Sequence, residues 1–222
     1  ALEAQGVVVP AEATEGTRQA ILEAALALFA DRGFAATSVA DVAERAGVSK
    51  AAIYWHFRDK EALLEAAFVT VLPVAKIDLA LRDLAGLEPE AVLIRVAEEY
   101  LAGFHRLLRH FRVVLSDLDT FPRFREFMNR YVALELVGLL ARYFDQEVRT
   151  GRLASNDPCL AAQMFYSTLF GFVIMRDVLK RDDLGHLHDR GLARTVAHAF
   201  LEGLRPRDDR LADHSSDPSA SR

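Results

Sequence analysis

Residues 37–57, TSVADVAERAGVSKAAIYWHF, carry two apolar stripes separated by a glycine, and each stripe is shorter than a self-supporting helix. Thr37 or Ser38 opens the first, with Asp41 three residues beyond Ser38 to complete a capping box. Val39, Val42, Ala43 and Ala46 share one helical face. Gly47 stops that helix, because a glycine takes the left-handed conformation at little cost. Ser49 caps the second stripe, whose Ile53 and Phe57 lie four apart and face inward with Val48. Helices shorter than about 12 residues are marginal in water, so these two must press on each other and on a third. TRQAILEAALALFADRG supplies it: Thr17 reads as the N-cap, Ile21, Ala25, Leu28 and Phe29 share a face, and Gly33 ends the run. Three helices, the last two joined by a turn of about three residues, make a helix-turn-helix unit.

The rest of the chain reads as longer helices. Asp59 caps a fourth, with Leu63, Ala66 and Ala67 inward, and Pro73 is expected to kink or break it. Further helices are expected over 89–109, in a short piece around 111–118, from Pro122 to Gly151, from Pro158 to about Leu179, and over about 188–204. No strand-like alternation occurs, so the fold class is all-α: an N-terminal three-helix helix-turn-helix domain over 14–60, fused to a larger helical bundle over 61–205. Residues 1–13 and 206–222 read as disordered tails.

Composition narrows the function. The formal net charge is −5, and the first 65 residues carry more acidic than basic side chains, so nucleic-acid binding must rest on a local surface. The single cysteine, Cys159, forms no internal disulfide and points to a reducing, cytoplasmic setting, where it reads as a small buried apolar residue. Residues 158–175 are uncharged, but Gln163, Tyr166, Ser167 and Thr168 favour a buried helix over a membrane span. No phosphate loop, nucleophile elbow or metal-spaced Cys/His set occurs, so the chain is read as a non-enzyme without metal or cofactor.

The second short helix carries Tyr54, Trp55 and His56 in a row, more than a core needs. A recognition helix entering the major groove puts its first residues at base edges. Here those are Ser49, Lys50, Ala51 and Ala52, small enough for close approach, with alanine methyls suited to a thymine methyl. Two roles are open to Lys50: guanine readout or phosphate contact. Tyr54, Trp55 and His56 are placed to donate to phosphates, Tyr54 with the alternative of packing its ring beneath the helix. Lys60, at the start of the fourth helix, and Thr37 and Ser38, at the start of the second, are further phosphate candidates.

These residues carry a resemblance. The stretch from Thr17 to Phe68, with Gly33-Phe34, Thr37, VAERAGVS, Tyr54, Phe57, Lys60 and Leu63 at their spacings, resembles the DNA-binding domain of the TetR family of bacterial transcriptional regulators. The resemblance implies about nine helices in all, a dimer on a palindromic operator, an effector pocket in the C-terminal bundle, and repression as the default. It assigns phosphate and base contacts to the matching positions named above.

The C-terminal helices fit that expectation. Stretches 158–179 and 188–204 are apolar on more than one side, as helices are that pack inside a subunit and against its symmetry mate; the alternative is a thick monomer core. The implied pocket is assigned Phe104, His105, Phe111, Phe127, Tyr131, Phe144, Phe165 and Tyr166, with Asn129 and Arg176 as further polar candidates. Its ligand is expected to be small and mostly apolar, acyl-chain or xenobiotic. The competing functions are an all-α enzyme and a helical protein-interaction module.

Overall fold

The structure is a computed structural model that describes residues 11–84, 86–116 and 122–205, with side chains for all of these but 11–14, 109–116 and 133. The expected tails over 1–10 and 206–222 therefore lie outside the described residues, as does the side chain of Phe111. The described residues form no strand, in keeping with the all-α reading. The chain divides into two compact units, one from 1–75 and 100–133, the other from 76–99 and 134–222.

The first unit begins with α1 (Ala11–Arg32), α2 (Val39–Ala46), α3 (Lys50–His56) and α4 (Lys60–Val71). The start of α1 is a correction: the helix begins at Ala11, so residues 11–13 are helical and Thr17 lies inside it rather than at its cap. Ala11, Glu12 and Ala13 are strong helix formers, and acidic residues suit a helix N-terminus. The other boundaries follow the expected chemistry. Ser38 and Asp41 make a reciprocal capping box on α2, and Gly47 closes it at φ 69. The Ser49 hydroxyl accepts from Ala52 N at 3.1 Å, and Asp59 Oδ1 accepts from Ala62 N at 2.7 Å to cap α4.

α1 packs on α2, α3 and α4 around Ile21, Leu22, Ala25, Phe29, Val42, Ile53, Leu63 and Leu64, all buried. The bend between α1 and α2 is held from two sides. Thr37 is buried, and its hydroxyl donates to the Gly33 carbonyl at 2.8 Å. Lys60 Nζ reaches back from α4 to donate to the carbonyls of Phe34 and Thr37, both at 2.9 Å, and sits 4.3 Å from the centre of the Phe34 ring. Burial pushes the Lys60 pKa down from its usual value, yet its donors are met by carbonyls of the bend between α1 and α2.

Pro73 ends α4, as it must, since it lacks the N–H a continuing helix needs. Its ring lies against Gly103 of α6 (Pro89–Ser116), where an added Cβ would sit 2.6–2.7 Å from three ring carbons. α7 (Pro122–Tyr131) packs on α4, with Phe124 edge-on to Phe68 at 5.4 Å. α6 runs unbroken to Ser116, where two pieces were expected, because no glycine or proline interrupts 104–116. α7 continues through a π-helical stretch, Val132–Val137, into α8 (Gly138–Arg149).

The second unit holds α5 (Val74–Asp83) from Lys76 on, the start of α6, α8, α9 (Pro158–Val173, with a π turn over Ile174–Val178) and α10 (Asp189–Leu204). α8 packs on α9, and α9 on α10. Buried Glu147 takes Arg152 on both oxygens, and Arg152 also donates to the Leu87 carbonyl at 3.2 Å. Arg176 grips Asp177 bidentately, donates to the Leu187 carbonyl and reaches Asp189 at the start of α10. The helix from Pro158 to Val178 is long and apolar enough to cross a membrane by length and composition; here one face of it is buried in the unit through Ala161, Ala162, Phe165, Leu169 and Val173. Cys159 is exposed, not buried as expected, because the inward face of α9 begins two residues later at Ala161.

Two substitutions test these contacts. Gly103→Ala drives a methyl into the rigid Pro73 ring and is expected to lower unfolding free energy by about 1–3 kcal/mol in chemical denaturation; an unchanged midpoint would show that the α6 approach is not tight. Lys60→Met keeps the length and removes the ammonium donors from the Phe34 and Thr37 carbonyls, and should cost about 1–3 kcal/mol. Equal stability of that variant would show that solvent replaces the ammonium without cost.

Candidate nucleic-acid interface

Helix α3 has seven residues and two opposed faces. Ile53 and Phe57 are 1% and 5% exposed and anchor it to the unit. At about 100° per residue, Lys50, Tyr54, Ala51 and Trp55 fall within an arc of about 140° on the other side. All four are exposed, Tyr54 at 54% and Trp55 at 71%. Tyr54 is therefore not packed beneath the helix; its ring and hydroxyl face solvent. His56 lies at the edge of this face, half-buried, with its ring edge-on to Trp55 at 4.5 Å. Burial first, and then the charge of Arg18, hold its pKa below the usual 6.5, so at neutral pH the imidazole is uncharged and offers one N–H.

The capping residues divide. Ser49 uses its oxygen as an acceptor for Ala52 N, which leaves the hydroxyl proton for an outside acceptor. Ser38 gives its hydroxyl proton to Asp41 Oδ2 at 2.7 Å while its oxygen accepts from Asp41 N at 3.2 Å. The Ser38 backbone N–H is also spent on Asp41 Oδ2 at 2.7 Å, and these bonds hold the Asp41 pKa below its usual value. Ser38 is exposed, but donation to a phosphate would require opening the capping box.

Two candidates are withdrawn on geometry. Thr37 is 1% exposed with its hydroxyl committed to Gly33, so it does not reach a phosphate. The Lys60 ammonium is committed to loop carbonyls and to the Phe34 ring, so it braces the unit rather than projecting from it. Both lie in the expected neighbourhood but point inward, since spacing along a helix does not say which loop folds back over it. Arg18, which no motif singled out, lies 5.6 Å from the centre of the Phe57 ring and brings a positive charge beside the end of α3.

The effector candidates separate by unit. Phe104 stacks on Tyr100 at 6.1 Å, His105 is half-buried, and Phe127 joins Phe68, Phe124 and Tyr131, all in the first unit. Phe144 and Phe165 are fully buried in the second unit, each against Phe200, and Tyr166 packs edge-on to Phe165. Arg176 is only 10% exposed and is spent on Asp177, Leu187 and Asp189, so it serves the α9–α10 connection rather than a ligand. Asn129 is exposed. A groove of about 370 Å³ between α9 and α10 is lined by Thr168, Phe172, Leu192, Val196, Ala199 and Phe200 among others, and includes none of the eight candidates.

Comparison with known proteins bears on both halves. Residues 21–67 match the profile of bacterial regulatory proteins of the tetR family, and residues 91–202 match that of the AefR-like transcriptional repressor C-terminal domain. The HTH-type transcriptional regulator YerO of Bacillus subtilis (strain 168) is 40% identical over 111 residues, 49% of this chain and 38% of the relative. The chain thus spans well under two thirds of that curated relative's length. A TetR-family transcriptional regulator from Mesorhizobium loti MAFF303099 shares the fold, with a TM-score of 0.73 and 22% identity over 87% of this chain and 98% of that one. The structure of the SmeT–triclosan complex aligns with a TM-score of 0.63 and 25% identity over 92% of this chain and 99% of that one. The matched profiles, YerO and the Mesorhizobium loti protein are described as regulators of transcription, not as enzymes. With a helix-turn-helix whose outer face is exposed and a C-terminal profile that covers half the sequence, the chain belongs to the TetR family of bacterial transcriptional regulators.

Proposed function

We propose that the protein is a cytoplasmic repressor that binds a palindromic operator as a homodimer and releases it on binding a small, mostly apolar ligand. One observation carries the DNA half: the exposed face of α3 joins Lys50, Ala51, Tyr54 and Trp55, while Ile53 and Phe57 anchor the opposite face. Large aromatics at 54% and 71% exposure are costly to leave in water and well suited to lie along a groove wall. Lys50 and the Ala51 methyl face base edges; Tyr54, Trp55, His56 and Ser49 donate to phosphates. Ala52 is half-buried and serves close approach rather than a contact of its own.

The dimer reading rests on α9 and α10. Leu160, Met164, Phe170 and Met175 are exposed on α9, and Thr195, Ala199 and Gly203 form an exposed small-residue stripe on α10. Large apolar side chains beside small ones give the relief that two-fold packing of helix pairs needs. Leu169 is buried and Phe170 exposed, which separates the two apolar sides of α9.

The effector site belongs, on this reading, to the C-terminal bundle, with Phe144, Phe165 and Tyr166 of the second unit as candidate walls. The complex of SmeT with triclosan favours an aromatic, apolar ligand over an acyl chain. Ligand acts by preferring the conformation that binds DNA less well.

A duplex selected from a randomised pool tests the DNA half. Its affinity should fall by about 10³–10⁵ between 50 and 200 mM salt if ~6–10 phosphates are contacted. The folded triple variant Lys50→Ala, Tyr54→Ala, Trp55→Ala should lose selective binding; if it retains it, α3 is not the reader. Triclosan, as an aromatic probe, should weaken the same complex by about fivefold or more, and no change at saturation removes the aromatic-effector reading. For the dimer, Met164→Glu buries an unpaired charge at the proposed seam and should raise the dimer dissociation constant by about 100-fold in sedimentation. A dimer of unaltered strength would move the interface elsewhere.

A further inference from the structure

Arg123 opens α7 far along the chain from the helix-turn-helix, yet its guanidinium lies among three carboxylates at the start of α4. Its Nη1 donates to Asp59 Oδ2 at 3.0 Å and lies 3.5 Å from Glu61 Oε2, while Nε lies 3.2 Å from Glu65 Oε1. Asp59 is the residue that caps α4, through its other oxygen. It stands two residues after Phe57, the anchor of α3. One carboxylate therefore fixes the α3–α4 junction with one oxygen and is tied to α7 with the other.

We infer that Arg123 is a positioning residue for operator binding: it holds the start of α4, and through Asp59 the angle at which α3 is offered, without touching DNA itself. This rests on the reading of α3 as the DNA-contacting helix. The charge balance supports it. Asp59, Glu61 and Glu65 place three negative charges within two turns, and Arg58, 3.2 Å from Asp59, is largely exposed. Removing the guanidinium leaves carboxylates that repel one another and any phosphate brought near α3. The planar fork of arginine spans several carboxylates at once, where a lysine is a point charge.

The test uses the full chain and a duplex selected by the wild-type protein from a randomised pool. Arg123→Gln is expected to bind it about tenfold more weakly with the slope of log affinity against log salt unchanged, because no phosphate contact is lost. Arg123→Lys should recover part of that loss. Glu65→Gln, which leaves the Asp59 bond in place, should weaken binding less, and the double variant should show less than the summed effect. Thermal unfolding of each variant separates mispositioning from misfolding; if Arg123→Gln does not fold, Glu65→Gln and Arg123→Lys decide. Wild-type affinity in a folded Arg123→Gln overturns the inference, and so does a salt slope lowered by about one, which would mark a direct phosphate contact. If the wild-type chain selects no duplex, the regulatory reading falls and this one with it; if only the variant behaves as wild type, the regulatory reading stands.

Discussion

Helices α2 and α3, of eight and seven residues, have no stability of their own to spare, and the DNA-facing surface depends on what is packed behind them. That support is partly apolar, through Phe29, Val42, Ile53 and Phe57, and partly a set of polar braces with defined directions. Lys60 reaches back to the carbonyls between α1 and α2, Thr37 donates to the end of α1, and Asp59 ties the start of α4 to α7. Apolar contact alone would let short helices slide; a hydrogen bond with a fixed partner does not.

The same braces explain how labour is divided among neighbouring polar residues. Where a side chain's donors are taken up inside the unit, as in Thr37, Ser38 and Lys60, it contributes shape. Lys50, Tyr54 and Trp55 are exposed instead, and these are the side chains proposed to make the contacts. The distinction follows from where the chain folds back: α4 brings Lys60 over the α1–α2 bend, whereas no described residue covers the outer arc of α3. A protein with more acidic than basic residues in this region can still present a surface to DNA, because several of the acids are engaged locally. Asp41 serves the α2 cap, and Asp59, Glu61 and Glu65 serve Arg123.

The second unit shows a parallel economy. Glu147–Arg152 and Arg176–Asp177–Asp189 pin connections between helices, so the polar groups in those positions shape the unit rather than line a ligand site. Small residues are exposed on α10, and large apolar side chains on α9. Its length and composition would also suit a membrane span, and the difference is visible only once one face is seen to be packed on α8 and α10.

Much of this was legible in the residues. Capping boxes, left-handed glycines and prolines act over three or four positions, so Ser38–Asp41, Gly47, Ser49, Asp59 and Pro73 mark element boundaries correctly from the sequence. The i, i+4 pairing of Ile53 with Phe57 likewise fixed which side of α3 turns outward. What the sequence left open were outcomes decided by partners far away in the chain. Spacing placed Lys60 and Thr37 near the DNA-facing end but not with their donors turned inward. It could not bring Arg123 to Asp59 across 64 positions, or expose Cys159 and bury Leu169 on a helix that is apolar nearly all round. Local chemistry sets the helices and their inward stripes because its forces act between near neighbours in the chain. The direction of each long side chain, and hence whether it braces or binds, belongs to the tertiary structure, where the competing hydrogen-bond acceptors first come within reach.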